Sequence, residues 1–213
     1  MNRLILLLAF VVSATTTFAQ DAKAQGILDK LSSKIKNQKS FYIEFKATIT
    51  NSSSGKNESF TGKGWVKGEK FFANYGDNTI MSNGTKTWNI LKEEGTAYET
   101  SATDDDSESM NPKKLMTLWE KGFTSKYEKE EKLGDEMVHV IYLHPKKKEK
   151  ADYHTIILYI GKDDNELKKT IMKSNDGTKK TVSITKFTSN PTVEDSKFTF
   201  DSKKYPGIEV VKD

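Results

Sequence analysis

The hydrophobic positions recur first with a helical and then with a strand period. From Ala22 to Gln38, Ile27, Leu28, Leu31 and Ile35 fall at helical spacing with lysines on the opposite side, which predicts an amphipathic helix of about four turns. From Phe41 to Thr50 the period drops to two. Phe41, Ile43, Phe45, Ala47 and Ile49 alternate with Tyr42, Glu44, Lys46 and Thr48, the pattern of an antiparallel strand buried on one face, and Asn51 to Gly55 is its turn. Phe60 to Leu91 then holds four short alternating segments. They are punctuated at Gly68, at Gly76-Asp77-Asn78 and at Asn83-Gly84, the last a dipeptide suited to a type I′ hairpin. Consecutive strands of this meander are expected to be hydrogen-bonded neighbours.

A strand from Thr96 to Thr100 follows, then a polar loop from Ser101 to Ser109. Its adjacent Asp104, Asp105 and Asp106 point apart on an extended chain, so they read as a solvated linker and not as a metal site. Asn111 as N-cap and Pro112 at the first position open a second predicted helix, with Leu115, Met116, Leu118 and Trp119 as its apolar face and Gly122 as its end. Strands are again predicted over Phe123–Lys132, Glu136–His144, Tyr153–Gly161, Leu167–Asn175 and Thr178–Phe187. About eleven strands at this regular spacing point to an up-and-down antiparallel sheet too wide to stay flat. The expected class is α+β, mainly β, with a curled sheet covered by two short amphipathic helices.

Residues 1–19 read as a secretory signal, with Asn2-Arg3 before the apolar run Leu4 to Val12 and Thr17-Phe18-Ala19 as a cleavage site. Residues 20–213 then form a single exported domain. The chain has no cysteine, so its stability must come from its core and not from disulfides. A net charge of +4 with 30% charged residues describes a solvated surface, not the concentrated basic field of a nucleic-acid binder. Lys146, Lys147, Lys148 and Lys150 read as a hairpin tip. The histidines, His139, His144 and His154, form no metal-ligand spacing, although His139 and His154 lie on neighbouring predicted strands. No nucleophile elbow or phosphate loop is present, and the residues suggest neither an enzyme nor a cofactor.

Three stretches resemble one family. Gly62-x-Gly64-Trp65-Val66-Lys67, an aromatic strand, and the hairpin Ile80-Met-Ser82-Asn83-Gly84 leading to Trp88 follow the same course as the outer-membrane lipoprotein carriers of the LolA type. At the C-terminus, Asp195, Phe198 and Phe200 match that family's D-x-x-x-F-x-F strand, and Gly207, Ile208, Val210 and Val211 match its close. The resemblance spans roughly Ala24 to Val211. It implies an unclosed half β-barrel whose concave side, capped by helices, shelters acyl chains. The implied role is a periplasmic carrier that takes acylated lipoproteins from an inner-membrane release transporter to an outer-membrane acceptor, as a monomer and without nucleic acid.

On that resemblance, Leu31 and Ile35 of the first helix, Ile43 and Phe45 of the first strand, and Phe71, Tyr75 and Ile80 of the meander face the acyl cavity, while Leu115, Met116, Leu118 and Trp119 form the lid. One departure stands out. Where the family has an Arg-Pro pair whose arginine latches the lid, this chain has Gly68-Glu69, leaving Lys67 or Lys70 as substitutes without the arginine fork and a lid expected to open more easily. The alternative reading is a periplasmic lipid- or lipoprotein-sensing regulator of the same fold. Such regulators carry a second C-terminal domain, which this sequence does not extend to. An enzyme acting on lipid or glycan is the third class, and paired carboxylates in a pocket would mark it.

Overall fold

The computed structural model describes residues 21–103 and 117–212. Residues 1–20, expected to hold the signal, residues 104–116, with Leu115 and Met116, and residue 213 lie outside the described residues. Residues 21–36 form helix α1, and twelve strands follow. They are β1 (Ser40–Asn51), β2 (Lys56–Lys67), β3 (Lys70–Tyr75), β4 (Asn78–Ser82), β5 (Lys86–Leu91), β6 (Thr96–Ser101), β7 (Phe123–Leu133), β8 (Glu136–Pro145), β9 (Tyr153–Gly161), β10 (Leu167–Ser174), β11 (Thr178–Ser189) and β12 (Glu209–Lys212). One sheet contains them all in the order β12-β6-β5-β4-β3-β2-β1-β11-β10-β9-β8-β7, and it is not closed into a barrel.

This is the expected class, but four sequence expectations are corrected. The sheet is not simply up-and-down: β1 lies between β2 and β11, and β6 lies far from β7 in the order. Nor is it wholly antiparallel, because β12 pairs with β6 in parallel. The Asp195–Phe198 stretch is a 3-10 turn and not a strand, since its hydrophobic residues are spent on anchoring against the sheet face and not on extending the ladder. Finally, only Gly84 of the Asn83-Gly84 pair has a positive φ, so the turn is not type I′; the Asn83 side chain instead accepts hydrogen bonds from the backbone N–H of Thr85 and Lys86. Of the second predicted helix, the described part contains only the 3-10 turn Leu118–Glu120, before Gly122 at positive φ.

Two compact units are built on these elements. In the first, comprising α1 as far as Lys34 and residues Trp119–Lys179, α1 buries Ala24, Ile27, Leu28, Leu31 and Ser32 along one stripe. The register of β8 and β9 pairs Ile141 with Leu158 and Leu143 with Ile156, and all four are fully buried. Burial of each such side chain stabilises by about 1.5–3 kcal/mol. The other face of the same strands is buried too. There Val138, Val140 and Ile157 form a cluster flanked by Leu133, Tyr142, Tyr159 and Ile171.

Polar contacts fasten both ends of α1 within this unit. Lys34 Nζ donates to the Asp164 carbonyl at 2.8 Å and to Glu166 Oε1 at 2.8 Å, in the β9–β10 turn. That turn needs glycine at position 161, because the Asp164 carboxylate fills the place of a side chain there while it binds Lys168. At the other end, the Lys23 ammonium sits 3.8 Å above the Tyr127 ring.

In the second unit, Ile35–Leu118 and Lys180–Asp213, the meander β1–β6 carries apolar side chains on both faces. One face holds Met81, Trp88, Ile90 and Ala97 and is covered by Phe200, Tyr205, Ile208 and Val210 from the C-terminal segment. The opposite face carries the candidate site.

Candidate functional site

Residues paired across neighbouring strands share a face of the sheet. Starting from Phe45, the register runs to Gly62 on β2 and Tyr75 on β3; starting from Ile43 it runs to Gly64, Ala73, Ile80 and Asn89; starting from Val66 it runs to Phe71, Ser82 and Thr87. Ile43, Phe45, Phe71, Tyr75 and Ile80, five of the residues expected to contact acyl chains, therefore lie on one face of the second unit. Ile43, Phe71 and Ile80 are buried, and so is Ile35. Phe45 and Tyr75 are half-buried, as is Phe60, whose ring lies 6.2 Å from that of Tyr75. Gly62 makes this arrangement possible: the Phe45 ring lies across its Cα, in the space a side chain would need. Burial also raises the Tyr75 hydroxyl pKa above its ordinary value, in keeping with an apolar setting.

The other expected residues fall elsewhere. Leu31 is buried in the first unit, together with Trp119, whose indole Nε1 donates to Ser32 Oγ at 2.8 Å. Leu118 begins the 3-10 turn before Trp119. Ser32 is absent from the residues expected to matter, although a polar residue four positions after Leu28, inside the apolar stripe, is the signal for a buried hydrogen bond.

Lys67 and Lys70, offered as substitutes for a lid latch, both bind the C-terminal segment, while most of the lid lies outside the described residues. Lys67 Nζ donates to Asp195 Oδ1 at 2.8 Å and to the Val193 carbonyl at 3.2 Å, and Lys70 Nζ donates to Asp195 Oδ2 at 2.7 Å. Both lysines end a strand beside the Gly68 turn, so their ammonium groups converge on one carboxylate and hold the C-terminal segment to the sheet. Next to this clamp, Lys197 lies 3.8 Å above the Trp65 ring and 4.7 Å from the Phe72 ring, with its pKa lowered by burial and by Lys63 and Lys204.

The two lysines hold the Asp195 carboxyl at about 2, below its ordinary 3.8. A lowered carboxylate pKa contributes stability that is present above the unfolded value and lost as pH falls through the folded one. An NMR titration of the Asp195 carboxyl is expected to find it protonating near 2, and a Lys67→Met variant is expected to move it back toward 3.8, with little effect on the fold because the pairs are exposed. An identical titration in the variant would contradict it.

At β1–β3 an open depression of about 600 Å³ is lined mainly by polar groups, Tyr42, Glu44, Lys46, Thr61, Lys63, Asn74 and Thr185, together with Phe45 and Gly62. Its walls suit water or a polar ligand and not a hydrocarbon chain. Among the described residues no group of three or more His, Asp or Glu is placed to hold a metal ion. His139 lies opposite Ile160, away from His154, and contacts Tyr127 Oη through Nδ1 at 3.2 Å, with burial lowering its pKa.

Two polar atoms on the apolar face have no partner among the described residues: Thr87 Oγ1 and Asn89 Oδ1, both buried. The local pattern carries no signal for them. In Lys86 to Leu91, Trp88 and Ile90 mark one face as apolar, and only the terminal Leu91 shares the other with Thr87 and Asn89, which therefore read as the solvent side of the strand.

Comparison with known proteins places the chain in context. The sequence model of a family described as outer membrane lipoprotein carrier protein LolA matches residues 15–178. No curated protein matches the sequence. Among solved structures, an uncharacterized conserved protein from Thermus thermophilus is similar with a TM-score of 0.58 at 14% identity, over 90% of this chain and 99% of that one. LprF from Mycobacterium bovis is similar with a TM-score of 0.50 at 10% identity, over 81% of this chain and 95% of that one. At these identities the likeness is one of fold.

Proposed function

Because the chain belongs to the family of outer membrane lipoprotein carrier proteins, we propose that it is a periplasmic carrier which binds the acyl chains of lipoproteins and shuttles them from the inner to the outer membrane. The observation that carries this reading is the apolar face of the second unit, where Phe45, Phe60 and Tyr75 stay half-buried beside the fully buried Phe71 and Ile80. Half-buried aromatic rings on a glycine-floored surface offer contact area that a hydrocarbon chain can complete.

The energetics suit a carrier. Each methylene withdrawn from water is worth about 0.8 kcal/mol, so one 16-carbon chain represents about 12 kcal/mol that the protein must nearly match and still surrender. Dispersive contacts with Phe, Tyr, Ile and Leu side chains do this without covalent chemistry. Partners at either end of the route are an inner-membrane transporter that releases the lipoprotein and an outer-membrane acceptor.

The test is release. Inner-membrane vesicles bearing a triacylated lipoprotein, incubated with the purified protein, are expected to yield a soluble complex of the two in roughly equal amounts. If the lipoprotein stays with the vesicles, and the delipidated protein also forms no complex with detergent-solubilised lipoprotein, the carrier role is wrong.

A further inference from the structure

We propose that Thr87 and Asn89 form a polar anchor, set in the apolar face of the second unit, that recognises the amide group by which a fatty acyl chain is joined to its bearer. The inference rests on the carrier reading and refines it by naming the part of the ligand that is read.

Thr87 is only 2% exposed, and neither its Oγ1 nor Asn89 Oδ1 has a hydrogen-bond partner among the described residues. Buried polar atoms are almost always paired, so two orphans two positions apart on one strand face call for an explanation. Their neighbours do not supply one. On β6, Thr100 lies opposite Thr87 and Tyr98 opposite Asn89, but neither hydroxyl bonds to these atoms, and the Tyr98 hydroxyl donates to Glu94. Ser82, opposite Thr87, already donates to the Lys86 carbonyl and accepts from the Gly84 N–H. Ile80, opposite Asn89, has nothing polar to give.

The chemistry of the orphans selects the ligand. A carboxamide oxygen accepts and never donates, whereas a threonine hydroxyl can do both. The pair is thus satisfied by a group carrying one N–H donor and one carbonyl acceptor side by side. A secondary amide fits: its N–H donates to Asn89 Oδ1 and its carbonyl accepts from the Thr87 hydroxyl. An ester or an ionised fatty acid has no donor and leaves Asn89 orphaned. A triacylated lipoprotein carries one amide-linked chain beside ester-linked ones, so the anchor would set which chain lies on β5 and how deep it sits.

Two probes of matched length separate these cases, N-palmitoyl glycinamide and its oxygen ester analogue, measured by displacement of a fluorescent fatty acid. Wild type is expected to prefer the amide about tenfold, the order expected from one or two hydrogen bonds made in a buried site. Thr87→Val and Asn89→Leu are expected to lose that preference while unfolding at the same temperature as wild type or above it, and Thr87→Ser is expected to keep it. Equal binding of both probes by wild type, or an undiminished preference in the variants, overturns the anchor but leaves the carrier role standing. Failure of wild type to bind either probe overturns both.

Discussion

Replacing Phe198 by alanine is expected to cost about 3–5 kcal/mol of folding stability, the range for removing a large aromatic side chain from a packed core. Phe198 is fully buried and closes the 3-10 turn that Asp195 begins. Everything after it depends on its seat: Phe200, Tyr205, Ile208 and Val210 pack on Met81, Trp88, Ile90 and Ala97, and β12 pairs with β6 beyond them. Asp195 fixes the near side of this seat only through exposed ion pairs to Lys67 and Lys70, which in water are worth little each. The hydrophobic anchor therefore dominates, and Asp195→Asn at neutral pH should shift the urea midpoint far less than Phe198→Ala. Trp65 and Trp88 both lie under the segment or beside it, so its release should also move tryptophan emission to the red. A urea midpoint within experimental error of wild type for Phe198→Ala would show that the segment is not held as described.

The same segment marks where the sequence stops being legible. Strand positions in β1 to β11 could be read from alternation and from the glycines between them, because both are local properties of the chain. The helical stripe Ile27, Leu28, Leu31 and Ile35 was readable for the same reason, and all four residues are buried. Asp195 to Phe200, by contrast, alternates like a strand yet folds as a 3-10 turn, because its hydrophobic residues are claimed by a sheet face more than a hundred positions earlier in the chain. Strand order was hidden likewise: nothing near Ser40 announces that β1 will have β11 as its second neighbour.

Two-sided burial explains the misread residues of the candidate site. A strand exposed on one face shows its inward residues by their apolarity, and so Ile43, Phe45, Phe71, Tyr75 and Ile80 could be assigned to one face in advance. On β5 that rule fails. Trp88 and Ile90 are buried under the C-terminal segment, and Thr87 on the other face is buried as well, so polarity no longer tells inside from outside. For Lys67 and Lys70 the charge was legible, but their partner Asp195 was not, because it is remote in sequence.

Trp119→Ala is expected to destabilise the first unit by about 3–5 kcal/mol, and most of that loss should come from packing and not from the hydrogen bond. The indole is 5% exposed and its Nε1 donates to a serine that is itself buried on α1. Trp119→Phe keeps much of the ring volume and leaves behind only a hydroxyl, whereas Ser32→Ala strands a buried indole N–H. The second change should therefore be at least as costly as the first, at about 1–3 kcal/mol. Combining Ser32→Ala with Trp119→Phe removes both partners together, and the double variant should lose less than the sum of the singles by about 0.5–1.5 kcal/mol. Amide hydrogen exchange along α1 should accelerate in step with these losses, since the bond joins the helix to the chain that enters β7. Strict additivity of the two single changes would mean that the indole and the hydroxyl do not interact in solution, and Trp119 would then act on α1 through its bulk alone.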